Sequence, residues 1–384
     1  MKTNIVLFLC LIISACNTIG RNGENHNYID ENNTKQLYAD SLYIDAYNTS
    51  LAGQWLIKDS ILYFVDKYIV GIKLYDLDGQ YIGEEVTQGR GPNEMIQPAW
   101  ISAIDGETGN MIIMDAGGAI LEFDKEFNIL YNTQMPWFMM LSEDFGENEA
   151  ISLLSAPDPN IPEMYEYNFD SNKMFSNNGR IYLPVTTEHI KYNKFLKGRI
   201  AKNYWKNSFT FISFNINDIS GTKRLFGKYP KIYQRHHIPV FSDYDFAIVD
   251  NYIYVTYEAD PIIYKYDIDG RLCRTFGVPS DQVNTQHYPT SYSFDDYEIN
   301  RGYLKECYGY YGRIFADEKY ILRTYKRDDG VWMMQQYNHK YDLINIYQIG
   351  APLEIIGKNN DFYYANVGVD LNKECFELIR FKLN

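Results

Sequence analysis

Residues 71–94 read GIKLYDLDGQYIGEEVTQGRGPNE, and this stretch decides the fold. Its first half recurs at 262–277 as IIYKYDIDGRLCRTFG. In each copy, two runs rich in β-branched and aromatic residues flank an Asp-x-Asp-Gly turn, which is typical of an antiparallel hairpin. The glycine supplies a positive φ, and the Asp side chains can cap backbone N–H groups. A preceding run at 61–66 (ILYFVD) predicts one more strand, so each unit contains at least three strands.

Weaker copies of this unit recur along the chain. Most of the aromatic residues that precede the polar turn are about 44–52 residues apart, the spacing of propeller blades, and one gap is about 71 residues. The aromatic positions are Tyr75, Phe123, Phe169, Phe214, Tyr266, Tyr337 and Phe381. They give a count of seven units, although the third and fourth units (136–178 and 181–227) are irregular enough to form one distorted blade with an insert. The long gap holds an aromatic, polar insert at about 281–311, which we interpret as a loop or lid.

The composition favours an all-β fold. Tyr occurs 36 times, aromatic residues reach 16%, and short β-rich runs alternate with Gly, Asn and Asp. No amphipathic helix of convincing length is expected after residue 36, and residues 199–205 and 208–216 are interpreted as strands. We predict a β-propeller of six or seven four-stranded antiparallel blades. The segment 37–47 (LYADSLYIDAY) is expected to close the ring by pairing with 376–383 (FELIRFKL), which removes an exposed sheet edge.

The first residues predict export. Lys2 precedes an apolar run at 5–13, and Ile13-Ser14-Ala15-Cys16 follows. A short apolar run that ends in small residues is typical of a secretory signal and too short for a membrane span. The ending resembles the bacterial lipobox, so we expect 1–15 to be removed, Cys16 to be lipidated and 16–36 to be a flexible tether; an ordinary signal peptide with an incidental Cys is the alternative. The single propeller domain is expected to span 37–384.

Charge and cysteine usage exclude several classes of function. The net charge of −14 opposes binding to a phosphate backbone, so no nucleic-acid partner is expected. Cys273, Cys307 and Cys375 cannot all pair with one another, which leaves either one disulfide or three buried thiols. Because no C-x-x-C motif is present, zinc ribbons and thioredoxin-type redox sites are excluded.

One segment carries a resemblance to a known family. Residues 89–94 (GRGPNE) follow the first Tyr-Asp-x-Asp-Gly turn, and the same chain carries a lipobox-like segment at 13–16. This arrangement resembles the TolB-like six-bladed propeller lipoproteins, whose blade pattern is akin to that of NHL repeats. The resemblance covers most of the mature chain and implies an exported envelope protein, but it brings no catalytic residues. We interpret GRGPNE as a structural clip between blades, and ligand contact by Arg90 and Glu94 is the alternative.

Candidate site residues are few. Searches for H-E-x-x-H, G-x-S-x-G and P-loop motifs fail. Tryptophans near blade junctions suit flat ligands such as sugar rings, although packing in the half-buried surface of a sheet explains them equally well. The residues proposed for ligand contact are Arg90, Glu94, Trp100, Trp137, Trp205 and Trp332. Three carboxylates near strand ends, Asp115, Asp144 and Asp250, could face the central channel.

No metal or cofactor is expected, with a structural cation such as calcium as the alternative. His236 and His237 are adjacent, and adjacent residues of a strand point to opposite faces, so a loop position is favoured over metal binding. The Asp-x-Asp-Gly turns resemble the start of a calcium loop. The twelfth positions are Thr87 and Val278, however, where an EF-hand loop requires Glu.

We therefore expect a monomeric, lipid-anchored propeller of the outer membrane, facing the periplasm or the exterior, that binds an envelope protein or a glycan. Catalysis is not the favoured interpretation. The alternative is a carbohydrate-active lyase or hydrolase that uses a pair of channel carboxylates. A purely structural envelope protein is the third hypothesis.

Overall fold

The computed structural model describes residues 31–135, 155–168, 171, 173–196, 198–288 and 294–383. These residues form six antiparallel blades around a common axis, and only 11% of the chain is helical, so the predicted all-β propeller is confirmed. In the described part of the chain, no helix has the length and apolar character needed to cross a bilayer. The predicted leader, Cys16, residues 16–30, Trp137 and Asp144 lie outside the described residues.

The strands are numbered in chain order, and each blade is given from the channel outward. Blade 1 contains β3 (Gly53–Lys58), β4 (Ile61–Asp66), β5 (Ile72–Asp76) and β6 (Tyr81–Glu85). Blade 2 contains β7 (Ala99–Ile104), β8 (Met111–Asp115), β9 (Ala119–Phe123) and β10 (Ile129–Gln134). Blade 3 contains β11 (Glu166–Tyr167) and β12 (Phe175–Asn177), then β13 (Arg180–Thr186), β16 (Phe209–Asn215) and β17 (Arg224–Lys228). Blade 4 contains β18 (Tyr244–Val249), β19 (Tyr252–Tyr257), β20 (Asp260–Asp267) and β21 (Leu272–Phe276).

Blades 5 and 6 include strands from the beginning of the chain. Blade 5 contains β22 (Tyr310–Ala316), β23 (Tyr320–Lys326), β24 (Trp332–Asn338), β25 (Leu343–Ile349) and β1 (Lys35–Gln36). Blade 6 contains β26 (Glu354–Asn359), β27 (Phe362–Asp370), β28 (Cys375–Phe381) and β2 (Ala39–Asp45). A small separate hairpin consists of β14 (Glu188–His189) and β15 (Tyr192–Asn193).

Helices occur in the connections. The α-helices are α1 (Gly198–Asn207), α2 (Ile219–Thr222), α3 (Lys231–Arg235) and α4 (Phe294–Cys307). Short 3-10 helices are η1 (Glu31–Asn33), η2 (Pro162–Met164), η3 (Pro239–Phe241) and η4 (Thr285–His287).

The N-terminal strand closes the ring as predicted. β2 pairs antiparallel with β28 along its whole length, and Ile44 lies opposite Phe376. β1 pairs parallel with β25 as a fifth strand of blade 5. Just before β1, Glu31 accepts hydrogen bonds from Ser280 and Tyr325 and pairs with Arg327, so the expected tether meets the propeller here.

The count of seven units from the aromatic positions is wrong, because blade 3 alone spans the third and fourth units. Six of the seven aromatic positions fall on the third strand of a blade (β5, β9, β16, β20, β24 and β28). The seventh position, Phe169, lies outside the described residues. β11 and β12, on either side of it, both pair with β13 and together form one interrupted inner strand. Units three and four are therefore one distorted blade, which was the alternative interpretation.

The expectation of no helix after residue 36 is also wrong. Residues 199–205, interpreted as a strand, lie within α1, and 208–216 correspond to β16. Within α1 the buried residues are Ala201, Tyr204 and Trp205, whose spacing is that of one helix face. The insert at 281–311 contains η4 and α4, so part of it is helical.

The Asp-x-Asp-Gly turns are hairpins, as predicted. Asp76 Oδ1 accepts the N–H groups of Asp78 at 3.0 Å and Gln80 at 2.8 Å, and Gly79 has a φ of 84°. In the second copy, Asp267 accepts the N–H of Arg271 at 2.9 Å. The carboxylates of both turns therefore cap backbone donors.

Cysteines were predicted to form one disulfide or three buried thiols, and neither alternative holds. Cys273, Cys307 and Cys375 are all unpaired, and only Cys375 is buried.

Candidate functional site

The central channel is narrow and mainly apolar. The innermost strands of all six blades line a cavity of about 300 Å³, mostly with aliphatic and aromatic side chains. Its charged residues, within the described part of the chain, are Lys173 and Glu354. Glu354 is the one carboxylate among the described residues that line this cavity, whereas the glycosidase mechanism of the alternative enzyme function uses two.

Lys173 links three blades inside the channel. Its Nζ lies 2.8 Å from Asp245 Oδ2 and also donates to the carbonyl oxygen of Ile314 at 3.1 Å. Asp245 accepts the Ile314 N–H at 2.8 Å as well. A buried charge needs such a partner, so this pair serves to join blades 3, 4 and 5.

A much larger cavity lies on the side of the propeller. This lateral cleft has a volume of about 1250 Å³ and is bounded by the segment 228–236 after blade 3, the outer strands of blade 4 and the loop 279–286. It exceeds the ~300–1,000 Å³ of ordinary small-molecule pockets, so an extended ligand would fit it better.

One wall of the lateral cleft is cationic. α3 buries Tyr233, which is 1% exposed and whose hydroxyl donates to the Phe241 carbonyl at 2.7 Å. That contact fixes the helix, while Lys231 and Arg235 are exposed and line the cleft. His236, the residue after the helix, is also exposed there.

Lys228 extends this wall from the end of β17. Its Nζ donates to the Asn207 carbonyl oxygen and lies 3.0 Å from the centroid of the Phe209 ring. Burial lowers the pKa of Lys228 to about 8. Lys228 is thus held at the base of the wall and remains largely cationic at neutral pH.

The opposite wall comes from blade 4. The Tyr264 hydroxyl donates to Asp260 Oδ2 at 2.8 Å, and burial raises the pKa of Tyr264. Thr275 lies opposite Tyr264 on the neighbouring strand β21 and is exposed to the cleft. This wall therefore offers a half-buried aromatic ring beside an exposed hydroxyl group.

A buried arginine supports this wall from behind. Arg323 is 0% exposed and donates to Gln335 Oε1 from Nε and Nη2. Its Nη1 donates to the Pro261 carbonyl at 2.7 Å, and the guanidinium lies 4.4 Å from the centroid of the Tyr311 ring. Pro261 and Tyr311 both line the cleft, so its shape depends on a buried charge held by three hydrogen bonds.

A second charged cluster fastens α4 to blade 4. Lys305 Nζ lies 2.7 Å from both Asp243 Oδ2 and Glu258 Oε1, and Arg301 lies 2.7 Å from Asp243. Burial, together with the nearby charge of Asp243, raises the pKa of Glu258 to about 7 despite Lys305. Burial also disfavours ionised Asp243, yet Lys305 and Arg301 hold its pKa below the usual range. We therefore assign the cluster the role of holding the helix.

The GRGPNE segment adopts the geometry of a clip. Glu94 Oε2 accepts the Gly91 N–H at 2.5 Å, while Arg90 is exposed. Asn93 reaches blade 2, where its Oδ1 accepts the Ile129 N–H at 2.9 Å. These contacts join blades 1 and 2 and leave the Arg90 side chain facing solvent.

The predicted tryptophans lie in different environments. Trp100 is partly exposed, and Lys67 Nζ lies 5.5 Å from its ring centroid. Trp332, also partly exposed, packs edge-on against Tyr310. Trp205 is 1% exposed and stacks on Tyr233 behind the cationic wall, so it presents no surface to a ligand. The structure does not bring these tryptophans together in one site.

Other candidates have structural roles. Asp115 accepts the N–H groups of Gly117 and Ala119, both at 2.8 Å, and Asp250 lies in the exposed turn between β18 and β19. His236 and His237 fall in the connection between α3 and η3, as the loop interpretation predicted. The described residues contain no group of three or more His, Cys, Asp or Glu side chains that is arranged to hold a metal.

Sequence reasoning missed the lateral cleft. One signal was available, since residues 228–237 read KYPKIYQRHH and concentrate basic residues in an acidic chain. The opposite wall carries no sequence signal, because it comes from a blade whose residues match the ordinary repeat.

No family model and no curated protein matches this chain. Solved structures do resemble it. A member of the DUF4221 family from Bacteroides vulgatus is 13% identical with a TM-score of 0.62, and the match covers 91% of this chain and 98% of that one. A protein described as exported from Bacteroides fragilis is 11% identical with a TM-score of 0.51, covering 91% and 99%. At these identities the similarity supports the propeller fold alone.

Proposed function

We propose that this protein is an exported, lipid-anchored propeller that binds an envelope protein or a glycan in the lateral cleft. The observation that carries the proposal is the cleft itself, about 1250 Å³ in volume and lined by exposed polar and cationic side chains beside buried or half-buried aromatic rings. The channel, the usual alternative in a propeller, is about 300 Å³ and is crossed by the Lys173–Asp245 pair. Rigid blades that carry variable loops are a common basis for binding.

Six blades also support the finer assignment to the TolB-like lipoprotein propellers. The GRGPNE clip and the Ile13-Ser14-Ala15-Cys16 segment are the sequence features behind it. This assignment places the protein at the outer membrane, facing the periplasm or the exterior, as a monomer.

Capture experiments test the binding function. The mature chain would be used to retain proteins from an envelope extract and to probe a glycan array, beside the cleft variant Thr275→Trp. Thr275 is an exposed cleft residue, so a bulky ring there should obstruct the cleft without disturbing the core. Lys340→Trp, on the exposed turn between β24 and β25, is the matched control. A ligand retained by wild type and the control but lost by Thr275→Trp supports the proposal, whereas silence in both assays, or equal retention by Thr275→Trp, overturns it.

The anchor has its own test. Full-length protein and a Cys16→Ser variant would be compared by metabolic labelling with a fatty acid and by membrane fractionation. We expect label and membrane association only with Cys16. Equal label in both proteins would remove the lipid anchor from the proposal without affecting the cleft.

A further inference from the structure

One wall of the lateral cleft carries a charge opposite to that of the whole protein, although Asp260 and Asp281 also line the cleft. The chain carries −14 overall, but Lys228, Lys231 and Arg235 line one wall of the cleft with His236 beside them. An acidic protein repels anions at long range, so a cationic wall in a concave site indicates a local function.

Two of these cations are free to meet a ligand. Many exposed cations of this protein have a carboxylate partner, such as Arg271 with Asp267 and Lys373 with Asp370. Within the described residues, neither Lys231 nor Arg235 lies in an ion pair. The two residues are four apart on α3, which places their Cβ atoms about 5–6 Å apart on one helix face. They can therefore meet two successive anionic groups of a chain molecule.

The remaining lining favours a sugar chain over a peptide. Side-chain amides and hydroxyls surround the cationic wall, including Gln234, Asn284, Gln286 and Thr275. Such groups match sugar hydroxyls, and Tyr264 offers an aromatic surface nearby. Acidic peptides are commonly recognised by clusters of Arg side chains. The described lining of the cleft contains a single Arg, Arg235, among several side-chain amides and hydroxyls.

We infer that the lateral cleft binds an acidic oligosaccharide, with its carboxylates on the wall formed by Lys231 and Arg235. This inference rests on the binding function proposed above and specifies its ligand class. Lys228, at the base of the wall, contributes positive charge, and Thr275 and Tyr264 contact the sugar from blade 4. Because the contact is electrostatic and solvent-exposed, its affinity should fall as salt is raised.

The test uses probes of defined chemistry. Binding of the mature chain to hexagalacturonate, neutral maltohexaose and a hexaglutamate peptide would be measured by calorimetry at 50 and 500 mM salt. We expect hexagalacturonate to bind at least tenfold more tightly than the other two and to weaken at high salt. K231A/R235A should reduce that affinity at least tenfold.

A matched variant controls for net charge. K125A/K340A removes two exposed lysines from the turns of blades 2 and 5, so it lowers the net charge by the same amount away from the cleft. It should bind hexagalacturonate like wild type, and circular dichroism should show that both double variants are folded. Equal losses in the two double variants would overturn the inference, because the effect would then be one of overall charge.

The other outcomes separate this inference from the proposed function. Preference for maltohexaose or hexaglutamate, abolished by Thr275→Trp, overturns the acidic-sugar inference and leaves the cleft as a binding site. Absence of binding to all three probes overturns the inference as well. The proposed function fails only if envelope capture and the glycan array also show nothing that depends on the cleft.

Discussion

Ile44, near the start of the described residues, lies directly opposite Phe376, near their end, in the sheet that closes the propeller. Both side chains are essentially buried, at 0% and 1% exposure. Phe376 in turn lies 4.4 Å from Phe64 and 5.1 Å from Trp55, ring centroid to ring centroid, so closure also packs blade 6 against blade 1. Pairing between the two ends of the chain thus covers an exposed sheet edge and also completes the core between blades 6 and 1.

Loss of this contact should destabilise the whole ring. We expect Ile44→Ala to reduce the free energy of unfolding by about 2–5 kcal/mol, since it leaves a cavity between two blades. Tyr43→Ala, at the neighbouring position with 56% exposure, should cost less than about 1 kcal/mol. Urea denaturation measures both values. Equal costs would show that the closing strand contributes little through its buried face.

The clip between blades 1 and 2 should be weakened by a side chain at position 89. A Cβ there would lie 1.9 Å from Glu94 Oε2, so Gly89→Ala should displace the flexible Glu94 carboxylate from the Gly91 N–H at a cost of about 0.5–1.5 kcal/mol. Gly83→Ala, where nothing lies within 4 Å of the new Cβ, is the control.

A double-mutant cycle identifies the cause of that cost. In a Glu94→Ala background, Gly89→Ala should lose most of its effect, because the clashing carboxylate is gone. Additive costs for the two substitutions would mean that Gly89 is needed for another reason.

The cluster that holds α4 should make stability depend on pH. Glu258 has a folded-state pKa raised to about 7 from its ordinary 4.5, so its contribution to stability is fully present below pH 4.5 and is lost as pH rises through 7. The shift corresponds to at most about 3 kcal/mol. The ionisation of Asp243 changes stability with pH in the opposite direction, because its pKa is lowered in the folded state. Its effect lies at more acidic pH, outside the range from 5 to 8.

Thermal unfolding at pH 5 and pH 8 measures this dependence. Wild type should lose stability between pH 5 and pH 8. In Glu258→Gln, the part of this loss that comes from the ionisation of Glu258 should be absent. Glu126→Gln, on the exposed turn between β9 and β10, should leave the wild-type dependence unchanged. If Glu258→Gln retains the full dependence, the titrating group is elsewhere.

The tryptophans should differ in their importance for stability. Trp205 is buried with Tyr204, Tyr229 and Tyr233, so Trp205→Ala should cost about 3–5 kcal/mol. Trp100→Ala removes a partly exposed ring that packs at the edge of the core near Lys67 and should cost less than about 2 kcal/mol. Chemical denaturation of the two variants makes the comparison, and similar losses would contradict the difference in burial.

Local patterns predicted most of the fold. The Asp-x-Asp-Gly turns, the strands of blade 2 and the pairing of 37–47 with the end of the chain follow from alternation and turn chemistry over about ten residues. The aromatic residue before each polar turn marks the third strand of a blade, for example Tyr75 on β5 and Tyr266 on β20. A repeating unit carries the same signal in every copy, so even a single sequence reveals it.

Two departures from the regular repeat, the helix α1 and the distorted blade 3, could not be predicted in this way. Residues 199–205 are rich in aromatic and β-branched side chains that also suit a strand, and only packing against Tyr229 and Tyr233 shows why they form a helix. The merging of two apparent units into blade 3 depends on β11 and β12 sharing β13 as partner.

By itself, then, the sequence determined a closed β-propeller built from repeated hairpins, because each repeat is specified by residues close together in the chain. Only the tertiary structure decided where a ligand can enter. The lateral cleft brings the 228–236 segment opposite Tyr264 and Thr275, and the ion cluster brings Asp243 and Glu258 to Lys305. Contacts between such distant residues depend on how the blades pack, and no local pattern records that packing.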